Sequence, residues 1–190
     1  MRKFLSCILF VYLLGCGGGG GSSDPVSPID PTPEVTPTPH PVGPVNTAGL
    51  PNFGEVAPGL TRSGQPTAQG FYNLSQAGVN VILKLNMEQE LGTPSVATVK
   101  KEFSGEVWYQ PINFMAIDCN VASQIVDELE ARLQEGQFIN IQCTRGVDRT
   151  ALIANLWEMR YGGKTHAQIH SEWGKYGTPE QAVQDCLAKY

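Results

Sequence analysis

Cys143 and Arg149 are the residues of this sequence whose types and spacing predict chemistry most directly. Five residues separate them, Gly146 is one of the five, and Thr150 follows the arginine. A cysteine thiolate is a strong nucleophile, and an arginine guanidinium offers a planar fork that matches two oxygens of a phosphate. Glycine lets the backbone bend and come close to a ligand. These residues predict a thiolate lying under a bound phosphate, and the alternative for Cys143 is an inert buried thiol.

The chain around this stretch predicts the elements that position it. An apolar run over 138–142 precedes Cys143, and an apolar helical run over 151–159 follows Thr150, which indicates strand, tight loop and helix. Backbone N–H groups in such a loop form an anion nest, and the start of the helix adds positive potential. The predicted phosphate-binding residues are Thr144, Arg145, Gly146, Val147, Asp148 and Arg149.

The stretch resembles the active-site loop of the protein tyrosine phosphatase superfamily, in its dual-specificity branch. Cys143, Arg149 and Thr150 match the pattern Cys-x5-Arg-Thr. A second patch, from Asn52 to Pro66, is similar to the opening of small bacterial and fungal dual-specificity-like phosphatases. The resemblance covers about residues 50–175, and therefore most of the part expected to fold.

The resemblance implies a cysteine-dependent phosphomonoesterase that works through a phosphocysteine intermediate and needs neither metal nor cofactor. Its substrate would be a protein phosphorylated on tyrosine, serine or threonine, a phosphoinositide, or a small phosphate ester. Cys143 would be the nucleophile, Arg149 would stabilise the transition state, and Thr150 would donate a hydrogen bond to the sulfur as it leaves.

Two positions depart from the pattern of the family. Gln142 stands where the family usually has histidine before the cysteine, and Ala151 stands where glycine is frequent. The first departure motivates a second hypothesis, a phosphate-binding module that keeps the cradle but hydrolyses poorly. A thiol redox protein is disfavoured because the sequence has no Cys-x-x-Cys motif.

The proton donor for the leaving oxygen is expected to be Asp118. The resemblance places an aspartate on the loop between the preceding strand and helix, and Asp118 is the only carboxylate there. The competing interpretation is that Asp118 caps the helix that begins nearby. Asp148 is the second candidate, although we expect it to turn outward and cap the next helix. Arg145 is equally consistent with a second phosphate contact and with simple solvation.

Hydrophobic periodicity predicts an α/β fold, with a mainly parallel central sheet flanked by helices. Strands are predicted over 53–60, 79–85, 107–112 and 138–142, and helices over 66–77, 93–103, 121–134 and 151–159. Two short helices are expected to close the domain, because Thr165 with Gln168 and Thr178 with Gln181 each match a capping box.

Composition narrows the range of partners. The chain has 190 residues, a formal net charge of −5 and no basic run, which argues against a nucleic-acid partner. Attraction for phosphate must therefore be local to the predicted loop. His166 and His170 lie one helical turn apart, but no third ligand is evident, so no metal site is predicted.

The N-terminal segment predicts a lipid anchor. Residues 1–16 combine a basic start, a short apolar stretch and the sequence Leu-Leu-Gly-Cys, which resembles a bacterial lipobox with Cys16 as the lipidated residue. The alternative is an ordinary cleaved signal. A Gly- and Pro-rich tether over 17–47 and a phosphatase-like domain over 48–190 would follow. The expected location is the bacterial cell envelope, on an outer membrane facing the periplasm or the exterior.

Two disulfide pairings are conceivable outside the cytoplasm. Cys119 could pair with Cys186 and leave Cys143 free, or it could pair with Cys143 and lock the enzyme. The sequence does not distinguish between the two.

Overall fold

The computed structural model describes residues 44–190, which are built around one five-stranded sheet. Its strands are β1 (Gly54–Ala57), β2 (Leu60–Ser63), β3 (Val81–Lys84), β4 (Glu106–Tyr109) and β5 (Ile139–Gln142). The strand order is β1-β2-β5-β3-β4, in which only the β1–β2 pair is antiparallel. The predicted α/β fold with a mainly parallel sheet is therefore confirmed.

Six α-helices cover the two faces of the sheet. They are α1 (Ala68–Gln76), α2 (Val96–Glu102), α3 (Cys119–Gln134), α4 (Asp148–Arg160), α5 (His166–Glu172) and α6 (Gln181–Leu187). Successive side chains of a strand point to opposite faces. On β3, Ile82 joins the core formed with α1 and α2, whereas Val81 and Leu83 join the larger core that includes residues of α3, α4, α5 and α6. This alternation explains why the β3 run reads as continuously apolar.

The strand predicted over 53–60 is a hairpin. Ala57-Pro58-Gly59-Leu60 reverses the chain, with Gly59 at a φ of 79° and Ala57 paired with Leu60. Proline followed by glycine suits the two central positions of a tight turn, because proline fixes a negative φ and glycine accepts a positive one. The hairpin places β2, rather than a single long strand, beside β5.

Two of the helix caps that the sequence indicates do not form, and one is confirmed. The cap of α2 is Ser95, whose hydroxyl accepts from the Thr98 backbone N–H, rather than Thr93. The α6 helix begins after Glu180 without a side-chain cap, so the box predicted at Thr178 does not form. The box at Thr165 is present, with both reciprocal hydrogen bonds.

The first described residues already belong to the domain. Val45 lies within the predicted tether, yet it packs against the core formed by α1 and α2. The predicted signal peptide, Cys16 and most of the tether lie outside the described residues. Within 44–190, no helix combines the length and apolar character that a membrane span requires.

Candidate active site

The predicted loop runs from the end of β5 to the start of α4, at the centre of the sheet. Strand β5 lies between β2 and β3, so its carboxyl end opens where ligands of parallel sheets commonly bind. Cys143 is 2% exposed, and the backbone N–H of Gly146 donates to its sulfur over 3.3 Å. Gly146 has a φ of 74°, which a residue with a side chain rarely adopts. The strand, loop and helix thus form as predicted, with the thiol facing the inside of the loop.

Three consecutive carbonyls of the loop are held from outside. Thr144 O accepts from Gln65 N over 3.1 Å, Arg145 O from Asn52 Nδ2 over 2.8 Å, and Gly146 O from Arg62 Nη2 over 2.7 Å. The C=O and N–H of a peptide unit point in opposite directions, so outward carbonyls turn the N–H groups of the following residues toward the inside. The second patch recognised in the sequence is therefore the outer support of the loop.

Arg149 is paired with a carboxylate that the sequence analysis did not identify. Both terminal nitrogens of its guanidinium donate to Glu90, the Nη2 bond being 2.9 Å long, and Nη2 also donates to the Thr144 hydroxyl over 3.2 Å. Glu90 is held further by the Thr144 hydroxyl and by the backbone N–H of Met87, each over 2.9 Å. Glu90 thus fixes the orientation of the Arg149 fork.

This pairing perturbs both ionisable groups. The pKa of Glu90 is lowered from 4.5 to about 2, mainly because Arg149 donates hydrogen bonds to the carboxylate. Desolvation by burial opposes ionisation of Arg149, yet its pKa is raised above its ordinary value because Glu90 and the negative charge of Cys143 stabilise the cation. Arg149 is therefore a fixed positive charge beside the thiol.

These groups face a cavity of about 220 Å³. It is lined by Glu90, Phe114, Cys143, Thr144, Arg145, Asp148 and Arg149. Phe114 contributes an aromatic ring to this lining, and Cys143 contributes its thiol. The cavity thus combines a thiol, a cation and an aromatic side chain, a set that suits a phosphate on an organic group.

Asp148 lies inside the site rather than turning outward. It is the first residue of α4 and is 5% exposed. One carboxylate oxygen accepts from Arg145 over 2.8 Å, and the other accepts from the backbone N–H of Glu180 over 2.9 Å. The Arg145 side chain is 64% exposed, so the pair forms part of the rim of the cavity. The expectation that Asp148 turns outward and caps α4 is therefore wrong, because Val147 is the N-cap and no side chain caps this helix.

Two predicted catalytic residues are placed apart from the sulfur. Asp118 is exposed and caps α3, accepting from the backbone N–H of Asn120 over 2.8 Å, and it does not line the cavity around Cys143. The Thr150 hydroxyl is buried and donates to Ser63 O over 3.4 Å rather than to the sulfur. The catalytic roles of both residues stay predictions.

The position of Glu90 in the sequence, shortly after β3, is the feature that could have pointed to it. Glu90 follows β3, the neighbour of β5, so it belongs to the same edge of the sheet as the loop. Side chains beyond the carboxyl ends of adjacent parallel strands meet there. The acidic segment 87–90 could have been identified once the strand order was known.

The structure contains one of the two disulfides that the sequence left open. Cys119 at the start of α3 is bonded to Cys186 of α6, and Cys143 is the free cysteine of the described region. The thiol of Cys143 is therefore not consumed by a disulfide.

No protein-family model matches the chain, and no curated protein matches it either. Several solved structures, however, are similar to this chain. A DUF442 protein of Shewanella putrefaciens CN-32, named as a phosphatase, superposes with a TM-score of 0.63 at 20% identity over 75% of this chain and 93% of its own.

Two further structures are similar. The catalytic domain of SIW14 from S. cerevisiae, a PP-IP phosphatase, has a TM-score of 0.61 at 18% identity over 74% of this chain and 86% of its own. TpbA of P. aeruginosa has a TM-score of 0.61 at 19% identity over 78% of this chain and 86% of its own. The described part of the chain therefore has the α/β fold of the dual-specificity-like cysteine phosphatases.

Proposed function

We propose that the protein hydrolyses phosphate monoesters through a covalent phosphocysteine. The observation that carries this proposal is the placement of Cys143, which lines the cavity together with Arg149 and accepts a hydrogen bond from the Gly146 N–H. An inert structural thiol needs neither a neighbouring paired guanidinium nor a loop with three consecutive carbonyls held outward.

The reaction needs two displacements at phosphorus. In the first, the Cys143 thiolate forms an S–P bond while the P–O bond to the organic group breaks, and an acid protonates the departing oxygen. In the second, water attacks phosphorus and gives a proton to the carboxylate that the acid became, the S–P bond breaks, and the thiolate is regenerated with inorganic phosphate as product. Inward N–H groups and Arg149 stabilise the phosphoryl oxygens in both transition states.

Two carboxyl groups are candidates for the acid. Asp148 is favoured by position, because it lines the cavity, whereas Asp118 is the candidate that the resemblance implies. Asp118 would reach the leaving group only if the loop before α3 closed over the substrate. Asp148 would have to release Arg145 before it could donate a proton, because that guanidinium now occupies one of its oxygens.

Turnover of para-nitrophenyl phosphate by the purified protein tests the nucleophile. We expect hydrolysis by the parent protein and none by Cys143→Ser. Turnover that survives Cys143→Ser would reject the mechanism. Absence of turnover in the parent protein with retained vanadate binding would instead favour the phosphate-binding module, a function compatible with the occupation of the Arg149 fork by Glu90.

The acid is tested by Asp148→Asn and Asp118→Asn, assayed with two esters that differ in leaving group. Loss of the acid should lower turnover at least about tenfold. The loss should be larger for phenyl phosphate than for para-nitrophenyl phosphate, because the phenolate is the poorer leaving group. The variant that shows this dependence identifies the acid, and a uniform loss with both esters would indicate a structural effect.

Within this reaction class we propose phosphorylated protein side chains as the first substrates to test. Phe114 supports an aromatic ester, because its ring lines the cavity beside the loop. TpbA has been solved with phosphotyrosine, and SIW14 is a PP-IP phosphatase. A panel of phosphotyrosine, phosphoserine and phosphothreonine peptides, phosphoinositides and inositol phosphates separates these classes. Turnover of inositol compounds alone would overturn the preference for phosphoproteins.

We also propose that Cys16 carries a lipid and holds the domain at the cell envelope. The support is the lipobox-like sequence and the Gly- and Pro-rich segment after it. Metabolic labelling with palmitate in a bacterial host, comparing the parent protein with Cys16→Ala, is the test. Equal labelling of the two proteins would contradict the proposal.

A further inference from the structure

Arg62 is a buried cation to which the proposed reaction assigns no role. It lies on β2 and is 4% exposed, yet within residues 44–190 it forms no salt bridge with a carboxylate. Its guanidinium lies 4.2 Å from the centre of the Tyr176 ring and donates from Nη2 to Gly146 O. Burying a charge that has no salt-bridge partner costs free energy, so the burial of Arg62 needs an explanation.

The hydrogen bond from Arg62 to Gly146 O helps to fix the loop around the sulfur of Cys143. A side chain at this position would approach Gly64 N to 2.5 Å, so the loop packs backbone against backbone on the end of β2. The N–H of the same residue donates to Cys143 Sγ. Arg62 holds the carbonyl of Gly146 outward and so turns the Val147 N–H of the same peptide unit inward. Asn52 does the same for the Gly146 N–H through the carbonyl of Arg145.

The charge of Arg62 also acts on the sulfur. Burial lowers the pKa of Arg62, whereas the negative charge of Cys143 raises it, second only to Tyr176 among the opposing causes. Attraction between two charges is mutual, so the charge of Arg62 also acts at the sulfur.

Gln142 makes such a contribution necessary. It occupies the position before the nucleophile and is fully buried, and neither polar atom of its side-chain amide has a hydrogen-bond partner in the described part of the chain. It carries no charge and holds no part of the loop. Arg149 on the cavity side and Arg62 behind the loop are buried cations whose pKa values the charge of Cys143 raises.

We propose that Arg62 is a positioning residue for the nucleophile, which fixes the loop at the Gly146 carbonyl and supplies positive charge from behind the loop. The proposal rests on the proposed function in that Cys143 is taken as the nucleophile. Arg62 does not contact the substrate, since it does not line the cavity around Cys143.

The test is the pH dependence of Cys143 alkylation by iodoacetamide in the full chain, followed by mass spectrometry of the peptide that contains Cys143. Arg62→Gln keeps a donor for Gly146 but removes the charge, and Arg62→Lys keeps the charge but removes the planar fork. We expect Arg62→Gln to raise the pH midpoint of alkylation by about one unit and to slow alkylation about tenfold at low pH. Arg62→Lys should keep the midpoint of the parent protein but lower phosphatase turnover.

Arg132→Gln is the matched control. Arg132 also stacks on an aromatic ring, 4.4 Å from the centre of Trp108, but it pairs with Glu106 and Glu128 and does not line the cavity around Cys143. Its alkylation midpoint should equal that of the parent protein.

Two results would overturn the proposal. One is an Arg62→Gln variant with the alkylation profile of the parent protein. The other, which applies even if Arg62→Gln does not fold, is a folded Arg62→Lys variant whose midpoint rises by about one unit, because the retained charge should prevent that rise. Alkylation needs no turnover, so a failure of the phosphatase proposal would show in the Cys143→Ser assay and leave this test intact.

Discussion

Replacing Glu90 by glutamine removes the charge that Arg149 grips while keeping the size of the side chain. The pKa of Glu90 falls from 4.5 to about 2 in the folded protein, chiefly because of the hydrogen bonds from Arg149. That gap corresponds to about 3 kcal/mol of stabilisation of the folded state. The Glu90 side chain is 29% exposed, and solvent screens part of this energy, so we expect Glu90→Gln to cost about 2 kcal/mol at neutral pH.

The cost should depend on pH in a defined direction. A carboxyl whose pKa is lowered by folding stabilises the protein above its unfolded value, and the stabilisation disappears as pH falls through the folded value. The difference in the free energy of unfolding between the parent protein and Glu90→Gln should therefore be constant above about pH 5 and shrink toward pH 2. At neutral pH it should appear as a loss of roughly 5–8 °C in melting temperature.

Urea denaturation of both proteins from pH 7 to pH 2 measures this difference. Glu88→Gln is the matched control, because Glu88 is exposed and its carboxylate accepts only from the backbone N–H of Val96. The control should cost well under 1 kcal/mol and show no comparable pH dependence. A Glu90→Gln cost that is the same at pH 7 and pH 2 would refute the assignment of the stabilisation to the ionised carboxylate.

Three further outcomes follow from contacts away from Glu90. Gly146→Ala should lower the free energy of unfolding by at least about 2 kcal/mol and abolish vanadate binding, measured by denaturation and titration, because the added methyl would meet Gly64 N at 2.5 Å. Reducing the Cys119–Cys186 disulfide, which spans 67 residues, should cost about 4 kcal/mol in urea denaturation with and without dithiothreitol. Thr165→Ala should cost about 1 kcal/mol through loss of the capping box, with para-nitrophenyl phosphate turnover unchanged. A change in the free energy of unfolding near zero in any of these measurements would contradict the corresponding prediction.

The disulfide also connects two parts of the site. Cys186 lies on α6, and the backbone N–H of Glu180, just before that helix, donates to Asp148. Cys119 lies beside Asp118 at the start of α3. The bond thus ties the start of α3, beside Asp118, to α6, whose preceding residue contacts Asp148. Reduction is therefore expected to slow hydrolysis of phenyl phosphate, which depends on the acid, more than hydrolysis of para-nitrophenyl phosphate.

The sequence alone was enough to predict those parts of the structure that form between residues close together along the chain. The strand ending at Gln142, the loop with Gly146 and the helix after it are contiguous, and hydrophobic spacing together with a required positive φ is enough to predict their order. The helix itself begins at Asp148, three residues before its predicted start. The capping box at Thr165 was found for the same reason, since its partner lies three residues away.

The tertiary structure decided which distant groups meet. Glu90 lies 59 residues from Arg149, and Arg62 lies 84 residues from Gly146, so each pair forms only because the strand order places β2 and β3 on either side of β5. Strand order follows from how the whole apolar core packs, and hydrophobic periodicity along the chain does not encode it. The sequence by itself therefore determined Cys143, the proposed nucleophile, and its loop, whereas packing of the sheet decided what holds that loop and its arginine in place.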